Sequence, residues 1–300
     1  MVKDIAASVR QKLRNLAQER REDFDYVLRQ YAMQRLLYRL GCSEHMEHFL
    51  LKGALLFWVW NQDFHRPTRD IDLLTYTDND VGFLVNLFRD IVSQDQDDGL
   101  IFDADTVEGI EIKEDADYTG VRITGAAYLS KARIPFQIDI GYGDVVVPAA
   151  EKAQIPSFLD MPLPELKIYP VYGVIAEKFQ AMVMLGLANS RMKDFYDIAA
   201  IAHTMSLDGD ILARAIKATF DRRKTDIEKE PLFIFSEEFI QDNGKHTQWK
   251  AFLNKNGINS SMEFDQVVAE VQQVIEPVYQ SISNNESFEK TWDYEELTWQ

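Results

Sequence analysis

The segment Arg66-Pro67-Thr68-Arg69-Asp70-Ile71-Asp72 follows a turn-forming glycine, Gly53, within otherwise apolar sequence. Successive side chains of a β-strand point to opposite faces, so Asp70 and Asp72 would share one face while Ile71 enters the core on the other. Two adjacent carboxylates repel each other unless a cation joins them. Mg²⁺ suits such hard oxygen ligands and leaves part of its shell to water and substrate phosphates. The pattern therefore predicts a metal site of the kind that nucleotide transfer requires.

A third carboxylate, Asp139, lies on another predicted strand, 134–140. Its apolar residues alternate with Gln137 and Asp139, which share the opposite face. Asp139 is thus the natural partner of Asp70 and Asp72, and two metals about 4 Å apart could then activate an attacking hydroxyl and hold the phosphates. The alternative interpretation is a solvated strand end whose acids bind nothing.

The composition limits the class of protein. The chain has 300 residues, of which 46% are hydrophobic, as expected for a folded protein of one large or two modest domains. Its formal charge of 32 − 49 = −17 argues against broad binding to nucleic acid, so an RNA or DNA partner would need a local basic patch. The lone Cys42 excludes an intramolecular disulfide and a cysteine zinc site. With no exported start visible, we expect a cytoplasmic protein without a membrane partner.

Hydrophobic spacing differs between the two halves of the chain. It predicts two helices or one bent helix over 5–40, then alternating strands and helices to about residue 92, and β-strands between 107 and 140. The acidic run 94–98 predicts a surface loop, and the proline-containing stretch 156–170 predicts a linker. Five helices are predicted beyond it: Val171–Leu187, Arg191–His203, Asp208–Arg222, Gln248–Leu253 and Met262–Ser281.

These patterns predict an α+β fold, with a mixed β-sheet and flanking helices followed by a helical C-terminal domain. We expect an N-terminal helical segment over 1–45, an α/β domain over 46–160 and a helical domain over 165–283 that completes the active site. The acidic tail, 284–300, would be either a docked arm or a frayed end.

Basic side chains near the acids have two interpretations each. Lys52 and Arg66 are either ordinary surface charges or groups that balance the acids and meet a triphosphate. Thr68 is interpreted as a turn residue whose hydroxyl caps the approach to the strand.

A second charged group is predicted on the helices. Lys178 is either part of a solvent-facing pair with Glu177 or a donor to the β- and γ-phosphates. In Arg191-Met192-Lys193-Asp194-Phe195-Tyr196-Asp197, the two aspartates are three residues apart and share a helix face. They form either a structural ion-pair cluster or part of the site, and the loss of Asp194 should matter in both cases.

Five segments, in this order, resemble the AbiEii/AbiGii toxin family of the DNA polymerase beta-like nucleotidyltransferase superfamily. They are Leu51-Lys52-Gly53-Ala54, Arg66-x-Thr68-x-Asp70-Ile71-Asp72, Phe136-Gln137-Ile138-Asp139-Ile140-Gly141-x-Gly143-Asp144, Ala176-Glu177-Lys178 and Arg191-x-Lys193-Asp194-Phe195-Tyr196-Asp197-Ile198. The resemblance implies a nucleotidyltransferase fold and a toxin of a type IV toxin–antitoxin or phage-defence module. It also implies a winged-helix antitoxin as partner, and transfer of nucleotides to the 3′ end of tRNA.

The resemblance carries over residue by residue. It implies metal binding by Asp70, Asp72 and Asp139, with Mg²⁺ or Mn²⁺, and a catalytic role for Lys178 and for Asp194 or Asp197. Contacts to the nucleoside triphosphate are expected from the positions Lys52, Gly53, Ala54, Arg66, Thr68, Lys178, Arg191, Lys193 and Asp197. Ala54 departs from the superfamily, which usually has serine or glycine there, and the long gap before Asp70 predicts an insertion around Gln62–Pro67.

Three alternative functions stay open at this point. The same fold could modify a small molecule, and the acidic surface favours a cationic one. It could instead modify a protein hydroxyl group. A third possibility is a non-catalytic partner protein that binds GTP or another triphosphate.

Overall fold

The structure, a computed structural model, describes residues 4–61, 66–77, 80–115, 118–229 and 231–300, and the side chains of residues 113–119 are outside the description. Most of the insertion predicted around Gln62–Pro67 therefore lies outside the described residues. The chain divides into two units. Unit 1 comprises Met1–Gly143 and Glu151–Ile168, and unit 2 comprises Asp144–Ala150 and Tyr169–Gln300.

Unit 1 combines helices with one large sheet. Its helices are α1 (Ile5–Arg20), α2 (Phe24–Gly41), α3 (Leu55–Asn61) and α4 (Val81–Val92). Its strands are β1 (Phe49–Lys52), β2 (Ile71–Thr75), β3 (Leu100–Asp115), β4 (Tyr118–Leu129), β5 (Ala132–Tyr142), β6 (Glu151–Gln154) and β7 (Glu165–Ile168). Among the described residues these seven strands form one mixed sheet in the order β3-β4-β5-β2-β1-β7-β6. The predicted α+β class and mixed sheet are confirmed.

The centre of this sheet brings together strands that are distant in sequence. β2 runs parallel to β5 and antiparallel to β1, while β4 and β5 form an antiparallel pair. In β5 the residues Ile134, Phe136, Ile138 and Ile140 are buried, as the alternation in sequence predicts. The odd-numbered residues of β5 lie on the opposite face, which is therefore the face that carries Asp139.

The N-terminal segment forms two helices and not one bent helix. The side chains of Asp4 and Asp23 accept hydrogen bonds from the backbone N–H groups of Ala7 and Tyr26, and so cap the starts of α1 and α2. Arg21 ends α1 in the left-handed conformation, with φ of 56°. This residue turns the chain, so that the apolar side chains of both helices can be buried in unit 1.

Two predictions about loops hold only in part. The acidic run 94–98 is not wholly a surface loop, because Asp98 is buried between Arg35 and Arg39, at 2.9 and 2.6 Å. Their positive charges compensate a carboxylate that could not otherwise be buried. The stretch 156–170 is not simply a linker either, because β7 lies within it and pairs in parallel with β1.

Unit 2 is mainly helical. Its helices are α5 (Val171–Leu185), α6 (Met192–Thr204), α7 (Gly209–Arg222), α8 (Glu237–Ile240), α9 (Asn243–Asn256) and α10 (Phe264–Asn284). A small sheet is formed by β8 (Leu207–Asp208), β9 (Thr291–Asp293) and β10 (Thr298–Trp299). The five predicted helices correspond to α5, α6, α7, α9 and α10, with α9 longer than the spacing indicated.

The C-terminal segment is docked on unit 2. β9 pairs with β8, and Trp292 is buried with its indole N–H donating to the carbonyl oxygen of Ala202 at 2.8 Å. A buried tryptophan with a satisfied N–H holds the segment in place. Of the two interpretations of residues 284–300, the structure shows the docked arm.

One segment of the described chain, Val171–Ala188, has the length and composition of a membrane span. It consists of α5 and the short turn after it. Ile175, Phe179 and Met182 on this helix are buried within unit 2. The inner helix of a folded unit passes the same test of length and apolar content, so the observation does not indicate a membrane protein.

Candidate active site

Three carboxylates meet on one face of the sheet in unit 1. Asp72 on β2 is the register partner of Asp139 on β5, and Asp70 lies one residue before the start of β2. One oxygen from each of the three carboxylates lies within 4.8 Å of the other two, and all three side chains are partly exposed. The structure thus brings together the three acids that the sequence predicts as a group.

The register places a cation on each side of the two central acids. Lys52 on β1 pairs with Asp72, and Arg122 on β4 pairs with Asp139. Four adjacent strands therefore carry, in order, a lysine, two aspartates and an arginine. We call these four residues the acid row. Its flanking cations offset part of the repulsion between the acids.

Arg122 and Gln137 determine the orientation of Asp139. The Nε and Nη2 atoms of Arg122 donate to the two carboxylate oxygens at 2.8 and 2.7 Å, and the amide nitrogen of Gln137 lies 3.1 and 3.2 Å from the same oxygens. A two-pronged guanidinium contact restricts the rotation of a carboxylate. The hydrogen bond to Asp139 and the negative charges of the acids raise the pKa of Arg122, which stays charged.

Asp70 is oriented by its own loop. The hydroxyl group of Thr68 donates to an oxygen of the Asp70 carboxylate at 2.7 Å. The side-chain amide of Gln30, on α2, donates in turn to the carbonyl oxygen of Thr68 at 2.8 Å and fixes that loop from the buried side. Thr68 is therefore more than a turn residue, because its hydroxyl contacts one of the acids directly.

Gly53 provides space for Asp72. Its φ of +72° lies in the left-handed region, which a residue with a Cβ adopts only at a cost. A Cβ at this position would overlap the Asp72 carboxylate. The turn after β1 therefore requires glycine for two independent reasons, its backbone conformation and the close approach of the acid.

The donor set fits a divalent metal ion. The group consists of carboxylate oxygens only, which is the ligand type that Mg²⁺ and Mn²⁺ prefer. The carboxylates converge without a basic residue between Asp72 and Asp139, which are direct neighbours in the register. Asp70, Asp72 and Asp139 would hold the ion or ions.

Unit 2 contains a second charged group, which we call the helix cluster: Lys178 on α5, Arg191, and Asp194 and Asp197 on α6. The ammonium nitrogen of Lys178 lies 2.8 Å from a carboxylate oxygen of each aspartate. Arg191 donates to the other oxygen of Asp194 at 2.6 Å. Both aspartates are buried. Lys178 is thus largely enclosed by its partners. It does not form a solvent-facing pair with Glu177.

The two cations decide the ionisation of Asp194. Burial raises the pKa of this carboxyl group, but the positive charges of Lys178 and Arg191 outweigh the burial and hold the pKa below its ordinary value of 3.8. Asp194 is therefore an anion at neutral pH, although it is fully buried. Lys193, which is exposed on the same helix, contributes to the same effect.

The other predicted nucleotide-binding residues lie in unit 1. Ala54 is buried at the turn before α3. Arg66, at the edge of the described chain, is partly exposed. Their predicted contacts with a triphosphate stay predictions.

Sequence reasoning assigned no role to three residues that orient the acids: Gln30, Arg122 and Gln137. Gln137 could have been identified, because alternation in β5 places it on the face of Asp139. Arg122 could not, since its contact with Asp139 depends on the register between β4 and β5. Gln30 contacts the loop of Asp70 from a helix 38 residues away in sequence.

A mixed sheet that carries converging carboxylates on adjacent strands is an arrangement that suits transfer of a nucleotidyl group with the help of a divalent metal. The family model for the nucleotidyl transferase AbiEii toxin of type IV toxin–antitoxin systems matches residues 35–270. The chain belongs to this family, as the five sequence segments indicated, and is a nucleotidyltransferase.

Two solved structures from Helicobacter pylori are similar to this chain. One is JHP933 and the other is a candidate nucleotidyltransferase. Each match has a TM-score of 0.49 and a sequence identity of 14%, and each covers 87% of this chain. The matches cover 94% of the JHP933 chain and 98% of the other chain. Among curated proteins, no significant match was found.

Proposed function

We propose that this protein transfers a nucleotide from a nucleoside triphosphate to an RNA acceptor, the 3′ end of tRNA, in a reaction that depends on Mg²⁺. The observation that supports the proposal is the convergence of Asp70, Asp72 and Asp139 within 4.8 Å in a chain of a nucleotidyltransferase toxin family. Mn²⁺, with the same ligand preference, would substitute for Mg²⁺.

Each of the three converging acids has a role in this reaction. Asp70 and Asp72 hold the metal, which when bound would polarise the α-phosphate and neutralise the leaving pyrophosphate. Asp139 accepts the proton of the attacking hydroxyl group, whose oxygen forms the new bond to the α-phosphorus as the bond to pyrophosphate breaks. Thr68 keeps Asp70 in place, and Arg122 keeps Asp139 in place, so the acids need little rearrangement.

The helix cluster has a supporting role in the proposal. Lys178 steadies the leaving pyrophosphate, and Asp194 and Asp197 fix its ammonium group through the two contacts of 2.8 Å. Arg191 and Lys193 add positive charge for the triphosphate.

A type IV family implies an antitoxin as partner. We propose that this antitoxin is a winged-helix regulator and that both proteins act in the cytoplasm. The lone cysteine, Cys42, is exposed and free, which is consistent with a reducing compartment.

The first experiment measures transfer of label from each nucleoside triphosphate to total tRNA with Mg²⁺, and then with EDTA. The wild type is compared with Asp72→Asn and with a matched control, Asp90→Asn, which changes an exposed acid on α4. We expect label on tRNA with the wild type and the control, and none with Asp72→Asn or EDTA.

Other outcomes point to the alternatives. Label on the protein itself or on a small cationic acceptor, with none on RNA, would contradict the RNA proposal and support a protein or small-molecule substrate. Saturable binding of triphosphate without transfer to any acceptor would support a nucleotide-binding partner protein.

A further inference from the structure

A groove of about 650 Å³ lies in unit 1 on the face of the sheet that carries the acids. It is lined by Arg133, Pro135 and Gln137 of β5, which share the face of Asp139, and by Thr124 of β4. Gln137 also donates to Asp139. The groove therefore begins beside the acid row, and it follows β5 from Gln137 back to Arg133, which is about 13 Å at the usual rise of a strand.

The groove contains three arginines: Arg29 from α2, Arg69 from the loop before β2, and Arg133 from β5. None of them forms a salt bridge within the described part of the chain. Two acids, Asp105 and Glu108, also line the groove, so its charged side chains sum to +1 in a chain of −17. This is a local basic patch of the kind that an RNA partner would need.

Arg29 provides a second, independent indication of a ligand. Its Nε atom is buried and has no hydrogen-bond partner in the structure. A buried donor of a charged group is costly to leave unsatisfied, so such atoms usually mark the place of a missing acceptor. A phosphate oxygen is the acceptor that a guanidinium group binds best, through two parallel hydrogen bonds.

The position of the groove relative to the acids distinguishes the acceptor strand from the nucleotide. In the strand order β3-β4-β5-β2-β1, most of the groove residues belong to β3, β4 and β5, and Arg69 comes from the loop before β2. The Gly53 turn and Lys52, which are expected to meet the triphosphate, lie on the β1 side, beyond Asp72. Asp139 is the acid assigned to the attacking hydroxyl group. A chain that delivers this hydroxyl would approach from the side of the groove.

We propose that this groove binds the phosphodiester backbone of the RNA acceptor strand, with Arg29, Arg69 and Arg133 as its phosphate contacts. The inference rests on the proposed function, because it assigns a binding surface to the acceptor of that reaction. The arginines contact phosphates and not bases, so they position the strand without selecting its sequence.

The test compares the wild type with the double variant Arg69→Gln/Arg133→Gln. Both arginines are exposed, so the melting temperature should stay unchanged. The matched control is Arg214→Gln, which removes the same type of charge from an exposed position on α7. Binding of a short fluorescein-labelled single-stranded RNA, with the sequence of a tRNA 3′ end, is followed by anisotropy at increasing NaCl. Nucleotide binding is measured separately with a fluorescent triphosphate and Mg²⁺.

We expect the double variant to bind the RNA at least about tenfold more weakly, since hydrogen bonds to charged groups are typically worth this much or more. In a plot of the logarithm of the RNA association constant against the logarithm of the salt concentration, the slope should become shallower by about 1.4. Each phosphate contact on a single strand contributes about 0.7 to the steepness of this slope. The double variant should bind the triphosphate as tightly as the wild type. The Arg214→Gln control should match the wild type in both RNA binding and triphosphate binding.

Three results would overturn the inference: RNA binding equal to wild type in the double variant, no RNA binding by the wild type, or weaker triphosphate binding in place of weaker RNA binding. The last would assign the groove to the nucleotide. RNA binding is measured without transfer, so the two proposals can fail separately. Groove-dependent RNA binding without transfer would contradict the proposed function alone, and transfer with unaltered RNA binding in the variant would contradict the groove alone.

Discussion

The two charged groups of this protein contain similar residues in very different surroundings. In the acid row of unit 1, Asp72 and Asp139 are neighbours on adjacent strands and partly exposed. In the helix cluster of unit 2, Asp194 and Asp197 are fully buried, and Lys178 lies between them at 2.8 Å from each. Together with Asp70, the first group places three carboxylates against two cations at a position that solvent can reach. The second balances two aspartates with two cations, Lys178 and Arg191.

The difference shows which of the two groups a bound metal ion would stabilise. A partly exposed group of like charges gains energy when a cation joins it, so removing one acid relieves repulsion. A buried and compensated cluster gains nothing from an added ion, and removing one member leaves an unpaired charge in the interior. Substitution of an acid in unit 1 should therefore lower activity at little cost in stability. Substitution in the helix cluster should lower stability, in addition to any loss of the support that Lys178 gives to the leaving pyrophosphate.

The largest expected effect is on activity. Asp70→Asn should lower the rate of transfer by at least about 10³-fold, since a bound metal contributes several kcal/mol to the transition state. The free energy of unfolding should change by less than about 0.5 kcal/mol, because the Asn carbonyl still accepts from Thr68 and the repulsion falls. Steady-state kinetics and urea denaturation measure the two quantities. A variant that retained full activity would show that Asp70 holds no metal.

The second effect is on stability. Asp194→Asn should lower the free energy of unfolding by about 3 kcal/mol, because it breaks a buried ion-pair cluster. The matched control is Asp210→Asn in the same unit, which breaks an exposed pair with Arg214 and should cost less than about 1 kcal/mol. Equal costs in urea denaturation would contradict the contrast between buried and exposed acids.

A third prediction separates backbone strain from crowding at the acid row. Gly53 and Gly257 both have positive φ, of +72° and +63°, but only a Cβ at Gly53 would meet the Asp72 carboxylate. Gly257→Ala should cost about 1 kcal/mol of stability from its backbone conformation alone. Gly53→Ala should cost more and also reduce transfer, because Asp72 must move. If Gly53→Ala kept wild-type transfer, the position of Asp72 would not matter for the reaction.

The smallest effect is a pH dependence. The pKa of Asp194 is lowered in the folded protein, so the stability from its ionised form is fully present above its ordinary pKa of 3.8 and is lost as the pH falls further. The difference in unfolding free energy between wild type and Asp194→Asn should be constant from neutral pH down to about 4. Below that it should shrink, by at most about 1.4 kcal/mol per pH unit. Denaturation midpoints at several pH values test this, and a constant difference down to pH 2.5, roughly one unit below that ordinary pKa, would contradict it.

The parts of the site that could be predicted are those set by local patterns. Alternation in β5 placed Asp139 on one face, the spacing of Asp194 and Asp197 placed them on one side of a helix, and the order of the motifs indicated the family. The first two depend on the fixed periodicity of a strand or a helix, and the third on the residues and their order along the chain. The buried Asp98 was mistaken for part of a surface loop because its partners, Arg35 and Arg39, lie about 60 residues earlier in the chain.

The sequence by itself determined the α+β class, the glycine turn and the identity of the three acids, because these follow from side-chain chemistry and from short-range geometry. Only the tertiary structure decided which cations contact the acids of the two charged groups. Arg122 reaches Asp139 through the register of two strands, and Lys178 reaches Asp194 across two helices. Such long-range contacts leave no periodic signal in a single sequence, since any of many basic residues could have filled the same position.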